Sequence, residues 1–233
     1  MKPIFRTLAS LLAGALLSAA AMAPAQAKTY TIALIPGLTT DAFYITMHRG
    51  AEAAAKALHV NLVFQGASAF NPVQQVPVLD AVIARHPDAI LIAPTDAKQL
   101  IQPLKAAVAA HIPVITVDTY IGNGHYQTGS GLADFPLSYI ASDNILGGKI
   151  AAKALAKAIG GKGEVFVSNV KPGISTTDQR EQGFKEEIQK HYPNIKVLST
   201  QFNNDDANTA ASQLQAVLAR NPHLAGVFGA NLF

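Results

Sequence analysis

The side chains with the most chemistry to offer stand directly after short apolar runs. Asp41, Phe43 and Tyr44 follow the run Thr31–Ile35, and Thr95 and Asp96 follow Ala89–Ile92. Asp118 and Thr119 end the segment that opens at Pro113-Val114-Ile115-Thr116-Val117. Farther on, Thr176, Thr177, Asp178 and Arg180 stand together, Asn203 to Asp206 follow the next run, and Asn231 follows the last. Carboxylates and amides accept hydroxyl hydrogen bonds, a guanidinium donates several, and an aromatic ring covers an apolar C–H face. A small polyhydroxylated molecule needs that combination. Each charge-assisted bond contributes about 1.5–3 kcal/mol net, and a ligand lacking the matching hydroxyl leaves a charged group unpaired, so such a set also selects.

Each residue has a plainer role to set beside this one. Asp41, Asp96 and Asp178 each precede or open a helical pattern and suit an N-cap. Phe43 lies at helical spacing with Met47, Ala51, Ala54 and Leu58, a face that would rest on a sheet. Asp118 is the hardest to explain in this way, because no good helical pattern starts after it.

Catalytic signatures are missing from the sequence: it contains no Gly-x-Ser-x-Gly elbow, no phosphate loop and no His-Glu-x-x-His. The seven His residues have no paired metal spacing, and there is no Cys to supply a thiolate or a disulfide. Gly122-Asn123-Gly124 and Gly129-Ser130-Gly131 lie in a long irregular stretch rather than between a strand and a helix, so they read as loop. The expectation is a binder rather than an enzyme, with no metal and no cofactor.

The elements that must carry these residues alternate between apolar runs and longer amphipathic stretches, the pattern of α/β architecture around parallel sheets. Strands are predicted at 31–35, 62–65, 89–92, 114–117, 139–141, 164–168, 195–201 and 226–229. Helices are predicted from Asp41 to about Leu58 and at about 73–84, 97–110, 145–159, 178–191 and 207–220. In open parallel sheets ligands bind beyond the carboxyl ends of the strands, which is where the polar residues collect. Ala81-Val82-Ile83-Ala84-Arg85-His86-Pro87 recurs as Ala216-Val217-Leu218-Ala219-Arg220-Asn221-Pro222, with five of seven positions identical. An echo of that kind fits a duplicated unit. Together with the irregular stretch 121–137 it predicts two similar doubly wound lobes, 28–142 and 143–233.

At the N-terminus, Lys2 and Arg6 precede an uncharged run from Leu8 to Met22, and Ala25-Gln26-Ala27 offers small residues at the cleavage positions. This reads as a secretory signal peptide over 1–27, removed after Ala27. The remaining 206 residues are expected to be soluble and exported. Net charge is +3, but removing Lys2 and Arg6 from the 18 basic residues leaves 16 against 15 acidic ones, which is no footing for nucleic-acid binding.

Several stretches resemble the periplasmic sugar-binding proteins typified by the ribose-binding protein, whose two-lobed core is shared with the lac repressor family. They are Ala93-Pro94-Thr95-Asp96, Pro113 to Asp118, Ala141-Ser142-Asp143-Asn144 followed by Gly147-Gly148, Arg180-Glu181-Gln182-Gly183-Phe184, and Ala225 to Asn231. The resemblance implies a sugar held between two lobes that close like a hinge, and delivery to an ABC permease in the inner membrane. It implies a periplasmic monomer, with service to a chemoreceptor or sensor kinase as the alternative. It places Asp41, Phe43, Tyr44 and Asp118 on the first wall and Asn231 on the second, and it matches Arg180 to the second Arg of its segment. Where the ribose binders have Arg after the matching Asp, this chain has Thr119; where they have Asn it has Ala93, and where they have Arg it has Asp178. Those departures argue against an identical sugar. In that family the chain returns to the first lobe after the strand that ends here at Gly229, so a C-terminally truncated fold is expected.

Overall fold

The computed structural model describes residues 28–124 and 136–231. The leader 1–27, Gly129-Ser130-Gly131 and the last two residues lie outside the described residues. Fifteen elements are present within them. The first group comprises β1 (Thr31–Ile35), α1 (Ala42–Leu58), β2 (Asn61–Phe64), α2 (Pro72–Ile83), β3 (Ala89–Ile92), α3 (Ile101–Ala109), β4 (Val114–Val117) and β5 (Ser138–Ile140). The second comprises α4 (Asn144–Ala158), β6 (Gly163–Asn169), α5 (Ser175–His191), β7 (Ile195–Val197), β8 (Gln201–Phe202), α6 (Ala207–Arg220) and β9 (Leu224–Gly229).

The first five strands make one parallel sheet in the order β2-β1-β3-β4-β5. Strand order reverses between β1 and β3, and there the following loops diverge and leave a crevice at the carboxyl ends. Gln75 of α2 ties that crevice together. It is fully buried; its amide donates to the carbonyls of Pro36 and Ala93, and its oxygen accepts from the Thr95 amide and hydroxyl. The loops after β1 and β3 are thus fixed to each other by a side chain with every polar atom paired. Beneath them Ile35, Ile90, Ile92, Leu79, Leu100 and Leu104 form the core.

The second sheet is built on β6, with β9 along one edge and β7 then β8 along the other, all parallel. Val165, Val167, Phe184 and Ile188 fill its core, and Phe184 stacks on Phe228 at 4.3 Å between ring centroids. Helices α4 and α5 meet with glycine at the crossing. A Cβ on Gly148 would run into the Arg180 carbonyl, and one on Gly183 into the Ile145 carbonyl.

Several predicted elements differ, three of them in ways that bear on packing. The strand expected over 195–201 is two short strands. Its middle leaves the ladder, and Thr200 turns its hydroxyl to Glu181 and Lys185 of α5. The helix expected from 97 starts at Ile101, and Asp96 caps the turn before it by accepting from the Lys98 and Gln99 amides. Helix α1 is rotated from its expected face. Tyr44 and Ala55 are its buried residues, whereas Phe43 and Leu58 are exposed, and His48 stacks flat on Phe64. No helix among the described residues is long and apolar enough to cross a membrane.

Candidate functional site

Residues that follow strands of both sheets meet around one cavity of about 230 Å³. Asp118 is the centre of its first wall. It leaves β4 in the left-handed backbone region, φ 62°, which a non-glycine residue adopts at a cost and which turns its side chain out of the strand direction. The turn is held from both sides: the Asp118 amide donates to the Ile140 carbonyl at 2.9 Å, and its own carbonyl accepts from the Tyr139 hydroxyl at 2.8 Å. Its Oδ2 accepts from the Tyr44 hydroxyl at 2.8 Å. One carboxylate oxygen is therefore committed to the protein.

Burial pushes the Asp118 carboxyl above its ordinary range; Tyr44 and Arg180 pull it back, and Asp41 adds to the rise. The Tyr44 hydroxyl is raised well above its usual value, first by burial and then by the Asp118 charge. Tyr44 is thus a donor at any physiological pH. Asp41 accepts from the Phe43 amide at 2.7 Å as the N-cap of α1, and it also lines the cavity. The Phe43 ring stands edge-on to Tyr44, is half exposed and faces the same space.

The opposite wall comes from the second sheet. Arg180 of α5 is clamped at both ends of its guanidinium: Nε donates to Asn144 Oδ1 at 2.9 Å and Nη1 to the Ala230 carbonyl at 3.1 Å. Asn144 in turn donates to the Ser142 carbonyl. The arginine is therefore oriented before any ligand arrives. Asn231 donates to Asp205 at 3.4 Å, and both line the cavity. Burial raises the Asp205 carboxyl, and the nearby Asp41 raises it further.

A family model for a periplasmic binding protein domain matches residues 32–232. The ribose import binding protein RbsB of Escherichia coli (strain K12) is 33% identical over 226 residues, 97% of this chain and 72% of its own length. The chain belongs to the periplasmic binding protein family. Among solved structures, an ABC transporter solute binding protein from Agrobacterium vitis, bound with alpha-D-tagatopyranose, is similar at TM-score 0.85 and 74% identity. That match covers 88% of this chain and 68% of the other. A periplasmic solute binding protein from Actinobacillus succinogenes with bound D-allose gives TM-score 0.75 at 30% identity, covering 88% and 70%.

In this periplasmic binding protein two of the residues expected at the site do not line it. Thr119 is buried and spends its hydroxyl on the Pro94 carbonyl at 2.7 Å, so it fastens the loops after β3 and β4. Asp178 lies inside α5, which begins at Ser175 rather than 178, and its carboxylate turns back to accept from the Gly173 amide. Leu38 and Phe70 line the cavity but are not singled out by sequence, and Thr176, Thr177 and Asp205 are marked there only as following a strand. Phe70 lies in the loop between β2 and α2, at the same end of the sheet as Asp41. A ring in that one remaining loop was the available signal.

Proposed function

We propose that this protein is the solute-binding component of an ABC-type sugar importer and that it holds a monosaccharide in the cavity between its two sheets. Its division into lobes at 28–142 and 143 onward, its export by cleavage after Ala27, and its action as a monomer delivering ligand to an inner-membrane permease belong to the same reading. The observation that carries it is the pairing of Asp118, one oxygen fixed by Tyr44 and one turned to the cavity, with Arg180 fixed across the gap. Such a pair accepts from and donates to adjacent ring hydroxyls, while Phe43 and Phe70 border the space with aromatic faces. The ligand class is a ketohexose of the tagatose type, supported by the 74% identity to a chain that holds that sugar. Ligand contacts to both walls drive closure, and the sugar leaves unaltered.

A melting-temperature screen against neutral hexoses, pentoses and polyols tests this. D-tagatose is expected to raise the melting temperature with dose. In Asp118→Asn the rise is lost, because the hydroxyl-accepting charge is gone, while the Tyr44 bond survives on the amide oxygen. A full rise in the variant would remove Asp118 from the site, and no rise with any sugar in the wild type would end the sugar reading.

A further inference from the structure

The charges around the cavity do not balance. Among the described residues lining it, Asp41, Asp118 and Asp205 bring three carboxylates against one guanidinium, Arg180. That guanidinium already faces the neutral oxygens of Asn144 and Ala230. The other nearby cation, Lys171, sits 6.0 Å over the Phe70 ring and draws on Asp205 only from a distance. Asp118, with one oxygen already taken by Tyr44, and Arg180 supply an acceptor and a donor for neutral hydroxyls. The pair of further carboxylates asks for a different explanation.

Its position suggests one. Asp41 enters from the N-cap of α1 and Asp205 from the loop after β8, so they approach from opposite halves. Both line the inner cavity and also the neighbouring groove bounded by Ser68, Asn71 and Asn204. Asp205 is aimed there by a backbone at φ 64°, the same costly conformation that aims Asp118. Its amide is anchored on Asn203 Oδ1 at 2.9 Å, and Asn203 is fully buried. Burial raises the proton affinity of the Asp205 carboxylate, and the nearby Asp41 charge raises it further, as a like charge does.

We propose that Asp205, facing Asp41, makes this cavity charge-selective: it takes ketohexoses that are neutral or carry an ammonium and turns away sugar acids and sugar phosphates. The inference rests on the sugar-binding reading above and extends it to ligand charge. Two negative charges lining the cavity repel an anion that approaches Arg180, while a hydroxyl or ammonium donor between them relieves their mutual repulsion.

The test is calorimetric affinity of the purified protein for three ligands built on one sugar ring. They are D-tagatose, its analogue with an ammonium in place of the C1 hydroxyl, and its C1 phosphate, each at low ionic strength and pH 7. In the wild type the phosphate binds weakest, and the ammonium analogue holds its own against tagatose. In Asp205→Asn, which keeps the shape and an acceptor oxygen, the ammonium-to-tagatose affinity ratio is expected to fall about fivefold or more, and the phosphate to recover by a similar factor. Asp178→Asn, a carboxylate of the same half that does not line the cavity, leaves both ratios alone. A role for Asp205 in packing alone would weaken all three ligands equally, so ratios unchanged within about twofold overturn the proposal. Equal binding of phosphate and tagatose by the wild type overturns it as well. Tagatose binding with flat charge dependence sinks this inference only, whereas a wild type that binds none of the three sinks it together with the sugar reading.

Discussion

Tyr44 and Asp118 form a unit in which each explains the other's environment. A buried phenol without a partner costs roughly 1–3 kcal/mol, and a buried carboxylate with no donor costs more, so the 2.8 Å bond between them resolves both. It also sets a pH response. Burial holds the Asp118 carboxyl above its ordinary range in the folded chain, so its burial is without cost below the unfolded value. That advantage is lost as pH rises through the folded value and the group ionises. Ligand-free Asp118→Asn is therefore expected to match the wild type in acid and to melt no lower than it at pH 7. Tyr44→Phe removes the hydroxyl that pulls the carboxyl down, so Asp118 takes up its proton at a higher pH. Titrated from neutral toward acid, sugar affinity in that variant fails earlier than in the wild type, and at pH 7 it is lower by about threefold to tenfold. An unmoved acid limb would mean that Asp118 is set by something other than Tyr44. At this scale the sequence was legible where a residue has few other uses: Asp118 ends a strand with no helix to cap. It was misleading at Thr119 and Asp178, whose hydroxyl and carboxylate are absorbed by the Pro94 carbonyl and the Gly173 amide. Both partners are backbone groups: Pro94 is brought close by tertiary packing, and Gly173 lies five residues before Asp178, where the chain turns into α5.

Among the elements, the inner strands of the first sheet were readable because a parallel strand buried on both faces is a near-continuous apolar run. Helix faces were harder. In α1 the expected stripe of Phe43, Met47, Ala51, Ala54 and Leu58 competes with Tyr44 and Ala55 one position on, and alanine at several positions blurs the difference. The aromatic residue that enters the protein is the one whose hydroxyl has a partner, which leaves Phe43 free for the cavity. Helices α4 and α5 carry the most specific requirement of any pair. Gly148 and Gly183 allow each backbone to rest on the other, and Arg180 is part of the turn that Gly148 touches. Gly148→Ala forces the two helices apart, with an expected loss of about 1–3 kcal/mol in urea unfolding. Because the displaced carbonyl belongs to Arg180, sugar affinity should fall beyond what the stability loss accounts for. Gly147→Ala next to it meets open space and should leave affinity unchanged. If both variants behave alike, the helix crossing does not position the arginine.

For the whole molecule, function depends on two sheets that reach the cavity from opposite sides and on what favours their approach. Away from the cavity walls the Tyr120 amide, just beyond β4, donates across to the hydroxyl of Ser175, the first residue of α5, at 3.1 Å. In an open form water serves both groups. In this structure Ser175 is buried and water has little access, so each group depends on the other. The bond is worth about 0.5–1.5 kcal/mol, too little to hold the halves together without ligand and enough to prolong closure once a sugar bridges the walls. In Ser175→Ala the closed form alone loses a partner for the Tyr120 amide. Stopped-flow measurement should show sugar release faster by about twofold to tenfold, with the association rate nearly unchanged. The ligand-free melting temperature should hardly move, since the open form never used the bond. Restoring a hydroxyl with Ser175→Thr should bring slow release back. Equal release rates in all three proteins would show that the sugar's own contacts to the two walls govern closure, with no contribution from the protein–protein bond between them.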